Sequence, residues 1–106
     1  MQKTWVRYSE NDNMAYGAIS ALKSAGIAPG KDIPIVSFDA SAAALRLVLK
    51  GEINLDVECN PLHGPRVRAI IEQLQRGETP SKYTYVDETS FDAESLTEEI
   101  IAGRGY

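Results

Sequence analysis

Helical apolar spacing gives way to short apolar runs and back again along this chain, and a glycine stands at almost every change. Asn11-Asp12-Asn13 offers side-chain oxygens to the free N–H groups of a first helical turn. Met14, Ala15, Ala18, Ile19, Leu22 and Ala25 follow at helical spacing, and Gly26 stands where a left-handed C′ residue is wanted, which predicts a helix over 12–25. Gly17 inside it weakens the helix by about 1 kcal/mol relative to Ala, a feature expected where backbones pack closely. Ile33-Pro34-Ile35-Val36-Ser37-Phe38 reads as a buried strand that runs into Asp39, with Pro34 near its start. A second helix is predicted over 41–50, with Gly51 as its stop. Ile53 to Cys59 alternates apolar and polar residues, the pattern of a strand with one buried face. Val67, Ile70, Ile71 and Leu74 mark a third helix, closed by Gly77 and blurred at its start by Pro61 and Pro65. Lys82-Tyr83-Thr84-Tyr85-Val86 is rich in strand formers, and Phe91-Asp92-Ala93-Glu94 reads as the capped start of a short last helix. Trp5-Val6-Arg7-Tyr8 reads as the first strand. This alternation predicts one α/β domain: a parallel sheet with alternating helices and right-handed crossovers.

Composition removes several function classes. Of 106 residues, 43% are apolar and 25% charged, which suits one globular domain and excludes a disordered tail. No apolar run approaches the roughly 20 residues of a membrane span. The net charge of −4 and the lack of a clustered basic face argue against nucleic acid and anionic lipid as partners. Cys59 is the one cysteine, so no internal disulfide is expected. Met1 to Arg7 lacks the apolar core of a signal peptide, which suits either a cytosolic chain or a piece of an exported parent.

In open parallel sheets ligands bind beyond the carboxyl ends of the strands. Those ends carry Glu10, Asn11 and Asp12, then Asp39 and Ser41, then Glu58, Cys59 and Asn60. Carboxylates accept hydrogen bonds and amides both donate and accept, a mixture suited to a neutral, hydroxyl-rich molecule such as a sugar. Asp12, Asn13 and Asn60 read first as helix caps, whereas Asn11 and Asp39 read equally as caps or ligand contacts. Cys59 reads as a small buried apolar residue, or as an activated thiol if it lies at a helix N-terminus. Trp5, Tyr8 and Tyr16 read as core aromatics before sugar-stacking ones. His63 is isolated, no metal-ligand spacing exists, and no glycine-rich phosphate loop appears, so no catalytic residue, metal or cofactor is expected.

The ordered set of motifs resembles a family. Tyr8-Ser9-Glu10-Asn11-Asp12-Asn13-Met14-Ala15-Tyr16-Gly17-Ala18 is similar to the Asn-Asp-x-Met-Ala-x-Gly-Ala segment of periplasmic sugar-binding proteins of ABC transporters, ribose/galactose type. Gly30-Lys31-Asp32-Ile33 with Ile35-Val36-Ser37-Phe38-Asp39 resembles the family's next segment. Val57-Glu58-Cys59-Asn60-Pro61-Leu62-His63-Gly64-Pro65 resembles the subgroup associated with galactofuranose. The likeness spans nearly all of residues 8–106 and corresponds to the C-terminal third of a two-lobed family chain.

The resemblance implies a partial type I periplasmic-binding-protein lobe, one truncated domain over residues 1–106. It implies non-catalytic sugar binding, with Asn11 and Asp39 on sugar hydroxyls and a third polar contact at or beside Cys59, Glu58 and Asn60 being its neighbours. It implies an ABC permease as partner of an intact protein and a periplasmic location for that parent. The helix near 65–76 would lack its normal sheet in so short a chain. A homo-oligomer, by domain swapping for example, is therefore expected, and a folded oligomeric fragment without a ligand site is the alternative.

Overall fold

The computed structural model describes residues 5–106. A four-stranded sheet runs in the order β1 (Arg7–Tyr8), β2 (Ile35–Asp39), β3 (Leu55–Glu58), β4 (Ser90–Phe91). β1, β2 and β3 are parallel, with Tyr8 opposite Val36, Val36 opposite Leu55, and Asp39 opposite Glu58. Helices α1 (Asp12–Ser24) and α2 (Ala42–Leu49) make the two crossovers; α3 (Gly64–Gln75) and α4 (Glu98–Ala102) follow. Two right-handed crossovers that step the same way along a sheet must lie on the same face. The core accordingly joins Ala15 and Ile19 of α1, Ala44, Leu45 and Val48 of α2, and Leu96 and Ile101 near the C-terminus to Ile35, Ile53 and Phe91.

The helices begin and end as the residues dictate. Asn11, Ser41 and Thr97 accept N–H groups of α1, α2 and α4 at their N-caps. α1, α2 and α3 each close on a glycine at φ near +75°, where a Cβ would be disfavoured. Gly30 is required differently. At φ +77° it lies so close to the chain that a Cβ would fall onto the Gly51 carbonyl, fixing the loop before β2 against the end of α2.

Four expectations are corrected. Residues 82–86 form no strand: Tyr83 and Tyr85 are exposed, and strand propensity without a neighbour to pair with does not make a ladder. The fourth strand is Ser90–Phe91 instead, and it is antiparallel to β3. The last helix starts not at Phe91–Glu94 but after Thr97. Phe91 is buried in β4 and Asp92 closes a turn, its Oδ1 accepting the N–H groups of Glu94 and Ser95. Gly17 has nothing within 4 Å of the position of a Cβ, so close packing does not explain it.

The fourth correction concerns which face of β3 is covered. Alternation suggested that Leu55 and Val57 point inward. The helix-covered face instead carries Asp56, paired with Ser37, both fully buried. Leu55 and Val57 share the opposite face with Val36, Phe38 and Tyr8, and no helix of the described residues lies on it. None of the residues of α3 is buried.

Candidate functional site

Three parallel strands side by side bring their carboxyl ends to one rim. Asn11, Asp39 and the segment Glu58-Cys59-Asn60 therefore stand at neighbouring strand ends, and the register sets Asp39 beside Glu58. The backbone N–H of Cys59 donates to the Asp39 carbonyl at 3.4 Å, a long contact that continues the β2–β3 ladder past its end.

The turn after β2 is strained. Asp39 has φ 113° and Ala40 φ 56°, two successive non-glycine residues in the left-handed half of backbone space. Such a turn persists only when its surroundings over-determine it. Two buried carboxylates do so. Asp12 Oδ2 accepts from the Ser41 N–H (2.9 Å) and Ser41 Oγ (2.6 Å), and its Oδ1 accepts from Ser37 Oγ (2.8 Å). Asp56 Oδ1 accepts from the Ala40 N–H at 3.2 Å. Burial first, then the charge of Asp12 and a hydrogen bond to it, push the Asp56 carboxyl up to about 8, against a smaller lowering by the Ala40 N–H. At neutral pH Asp56 thus holds its proton.

With that support beneath it, the Asp39 carboxylate accepts no hydrogen bond from any described residue. Asn11 spends its Oδ1 on the Met14 N–H (2.9 Å) as N-cap of α1, which leaves its amide nitrogen as a donor. Asn11 is thus both cap and free donor, which reconciles its two readings. Asp12 is more than a cap, since its bonds reach Ser37 and Ser41 across the fold.

Glu58 is already engaged. Its Oε1 accepts from Tyr106 Oη (2.7 Å) and Arg104 Nη2 (3.2 Å), and its Oε2 from the Thr89 N–H (3.2 Å). Burial alone would raise its pKa, but the Tyr106 hydroxyl, the Thr89 N–H and Arg104 outweigh it and hold it below the usual carboxylate range. Burial and the bond to Glu58 push the Tyr106 hydroxyl up to about 12. Arg104 lies between the rings of Phe91 and Tyr106, its guanidinium 4.9 and 4.6 Å from their centroids. Asn60 is held by the Glu88 carboxylate, which accepts its N–H at 2.7 Å, and its own Oδ1 accepts the Leu62 N–H in a local turn. Cys59 is exposed and free, not the buried small residue expected.

Trp5 and Tyr8 are likewise exposed rather than core, and Tyr16 alone is partly buried, its hydroxyl 3.1 Å from Ser41 Oγ. His63 precedes α3 and makes no capping bond through its side chain. An apolar cavity of about 490 Å³, lined by Trp5, Arg7, Leu22 and Ile33 among others, sits at the opposite, amino-terminal end of the strands. Among the described residues no three His, Cys, Asp or Glu side chains gather as a metal site requires.

Sequence reading missed Asp56, Ser37, Arg104 and Tyr106. The polar positions of β2 and β3 were visible, but only the register pairs Ser37 with Asp56 and shows that this polar row faces the helices. Arg104 and Tyr106 lie 46 and 48 residues from Glu58, and nothing local announces their contact.

No protein-family model matches the sequence. Comparison with known proteins nonetheless gives a consistent result. The galactofuranose-binding protein YtfQ of Escherichia coli K12 is 36% identical over 94 residues, 88% of this chain and 30% of YtfQ. The periplasmic binding protein component of the arabinose ABC transporter from Shewanella sp. ANA-3, bound to α- and β-L-arabinofuranose, superposes with a TM-score of 0.84 at 29% identity, over 99% of this chain and 38% of that one. A Mycobacterium smegmatis protein in complex with β-D-fucofuranose gives a TM-score of 0.81 at 34% identity, over 87% of this chain and 30% of that one. The chain spans about a third of the length of the proteins it matches. Across most of its own length the chain is similar to part of the sugar-binding proteins of ABC transporters and has the fold of part of a type I periplasmic-binding-protein lobe.

Proposed function

We propose that the chain binds a sugar without transforming it, and that it stands for the C-terminal part of the solute-binding component of an ABC sugar transporter. The single observation that carries this reading is the pairing at the rim of an unengaged Asp39 carboxylate, held on a strained turn, with a free amide donor on the neighbouring Asn11. One side accepts hydroxyl protons and the other donates to hydroxyl oxygens, which is what a polyol face needs. Cys59 and Asn60 complete the rim from β3, and Glu58 serves it by fixing the Arg104–Tyr106 tail rather than by touching the ligand. The ligand class is a sugar in the five-membered ring form, since three of the similar proteins are described with galactofuranose, fucofuranose or arabinofuranose. An ABC permease is the partner of the longer protein. Glu58, the neighbouring carboxylate, is engaged with Tyr106 and Thr89 and is not free to act as an acid or base.

Isothermal titration of the chain with galactose, arabinose, fucose and fructose tests the proposal. Millimolar or tighter binding is expected. Asp39→Ala, which removes a charged acceptor, is expected to weaken it about 10- to 100-fold. Flat titrations across the panel, or binding that Asp39→Ala leaves unchanged, overturn the reading.

A further inference from the structure

The strained turn that presents Asp39 is held from within by Asp12 and Asp56, whose carboxyl groups accept the N–H groups of Ser41 and Ala40. Neither bond reaches Asp39 itself or the neighbouring end of β3. There the ladder closes on one long contact, the Cys59 N–H at 3.4 Å from the Asp39 carbonyl, which is the weak limit of such bonds. Two successive residues at positive φ relax toward ordinary backbone angles unless the turn is gripped at both ends.

Tyr106 grips both ends. On the β3 side its hydroxyl donates to Glu58 Oε1 at 2.7 Å, and Glu58 is the register partner of Asp39. Just past the turn, its carbonyl accepts the Ala42 N–H at 3.1 Å. That N–H opens α2 and has no partner within the helix. Arg104 sets the direction of the hydroxyl. Its Nη2 donates to Tyr106 Oη at 2.6 Å and to Glu58 Oε1 at 3.2 Å, which leaves the hydroxyl's own proton for Glu58. The side chains of Arg104 and Glu58 are only 11% and 10% exposed, so this triangle is sheltered from competing water.

We infer that Tyr106, oriented by Arg104, is a positioning residue for Asp39: it staples the end of β3 to the start of α2 across the strained turn and so fixes where the Asp39 carboxylate meets a ligand. Its effect on a ligand rests on the reading of Asp39 as the sugar acceptor; the stapling of the turn does not. Tyr106 acts through Asp39 and needs no contact with the sugar.

Tyr106→Phe tests the inference, because it removes the hydroxyl and keeps both the ring beside Arg104 and the carbonyl on Ala42. The first readout is amide hydrogen exchange without sugar. The Ala40 and Cys59 amides, neither of which bonds to Tyr106, are expected to exchange about fivefold faster or more. Those of Ala15 and Leu45 in the core are expected to keep their rates. The second readout is titration with whichever of galactose, arabinose, fucose and fructose the unsubstituted chain binds most tightly. Tyr106→Phe is expected to weaken binding about 3- to 10-fold. In an Asp39→Asn background it is expected to cost less than about twofold, since a residue that works through Asp39 then has little left to place. Unchanged exchange at Ala40 and Cys59 overturns the inference, and so does an acceleration shared equally by Ala15 and Leu45. Sugar binding that Tyr106→Phe leaves unchanged, or weakens equally in both backgrounds, overturns it too. Faster exchange at Ala40 and Cys59 in a chain that binds none of the four sugars even unsubstituted upholds the staple and overturns the ligand reading instead.

Discussion

A buried carboxyl group, Asp56, supports the turn beneath the rim through the Ala40 N–H. Asp56 is protonated in the folded chain up to about pH 8, whereas in the unfolded chain it ionises near the ordinary value of 3.8. Between those limits the folded state binds the extra proton, so this group's contribution is complete below the unfolded pKa and is lost as pH rises through the folded one. Urea unfolding at pH 5, 6.5 and 8 is expected to show stability falling with pH by at most about 1.4 kcal/mol per unit. Asp56→Asn keeps an acceptor for the Ala40 N–H and removes the titrating group, and is expected to flatten that slope and to be the more stable form at pH 8. A wild-type slope of opposite sign across this window would mean that Asp56 is ionised in the folded chain. The Asp12–Asp56 pair was not legible in the sequence, because both residues lie at positions where polar side chains ordinarily face water. Asn11 and Asp39 were legible as strand-end residues, since strand order alone places them at one rim.

At the level of elements, the cap of α1 and the glycine stops of α1, α2 and α3 were read correctly, whereas the start of α4 and the partners of several elements were not. Asn11 and Gly26 bound α1 as the sequence indicates, because capping is settled within a few residues. Residues 82–86 have the composition of a strand and no neighbour to pair with, and β4 is two residues that composition does not distinguish. The side of β3 that is covered depends on where both crossovers pass, information that alternation within one strand does not contain. α1 offers a direct check on propensity. Gly17 is helical, exposed and free of any neighbour at its Cβ position, so Gly17→Ala is expected to stabilise the fold by about 1 kcal/mol in urea unfolding. A loss of stability would mean that this glycine serves a contact formed outside the single chain.

For the whole molecule, one side is finished and the other is not. The helix-covered core of α1, α2 and α4 is self-contained, whereas α3 stands off with its apolar stripe exposed. Hydrogen exchange is expected to divide along that line. The amides of β2 should be the better protected and those of α3 the less, because no residue of α3 is buried and its opening exposes little. Exchange in α3 as slow as in β2 would overturn that division. The unfinished side also borders the rim, since Phe38, the last residue of the bare face on β2, immediately precedes Asp39. Whatever is laid across that side builds a wall next to the carboxylate and dries the space above it. Covering that side and capturing a ligand at the rim are then linked equilibria: each tightens the other by the same factor, although the two surfaces do not touch.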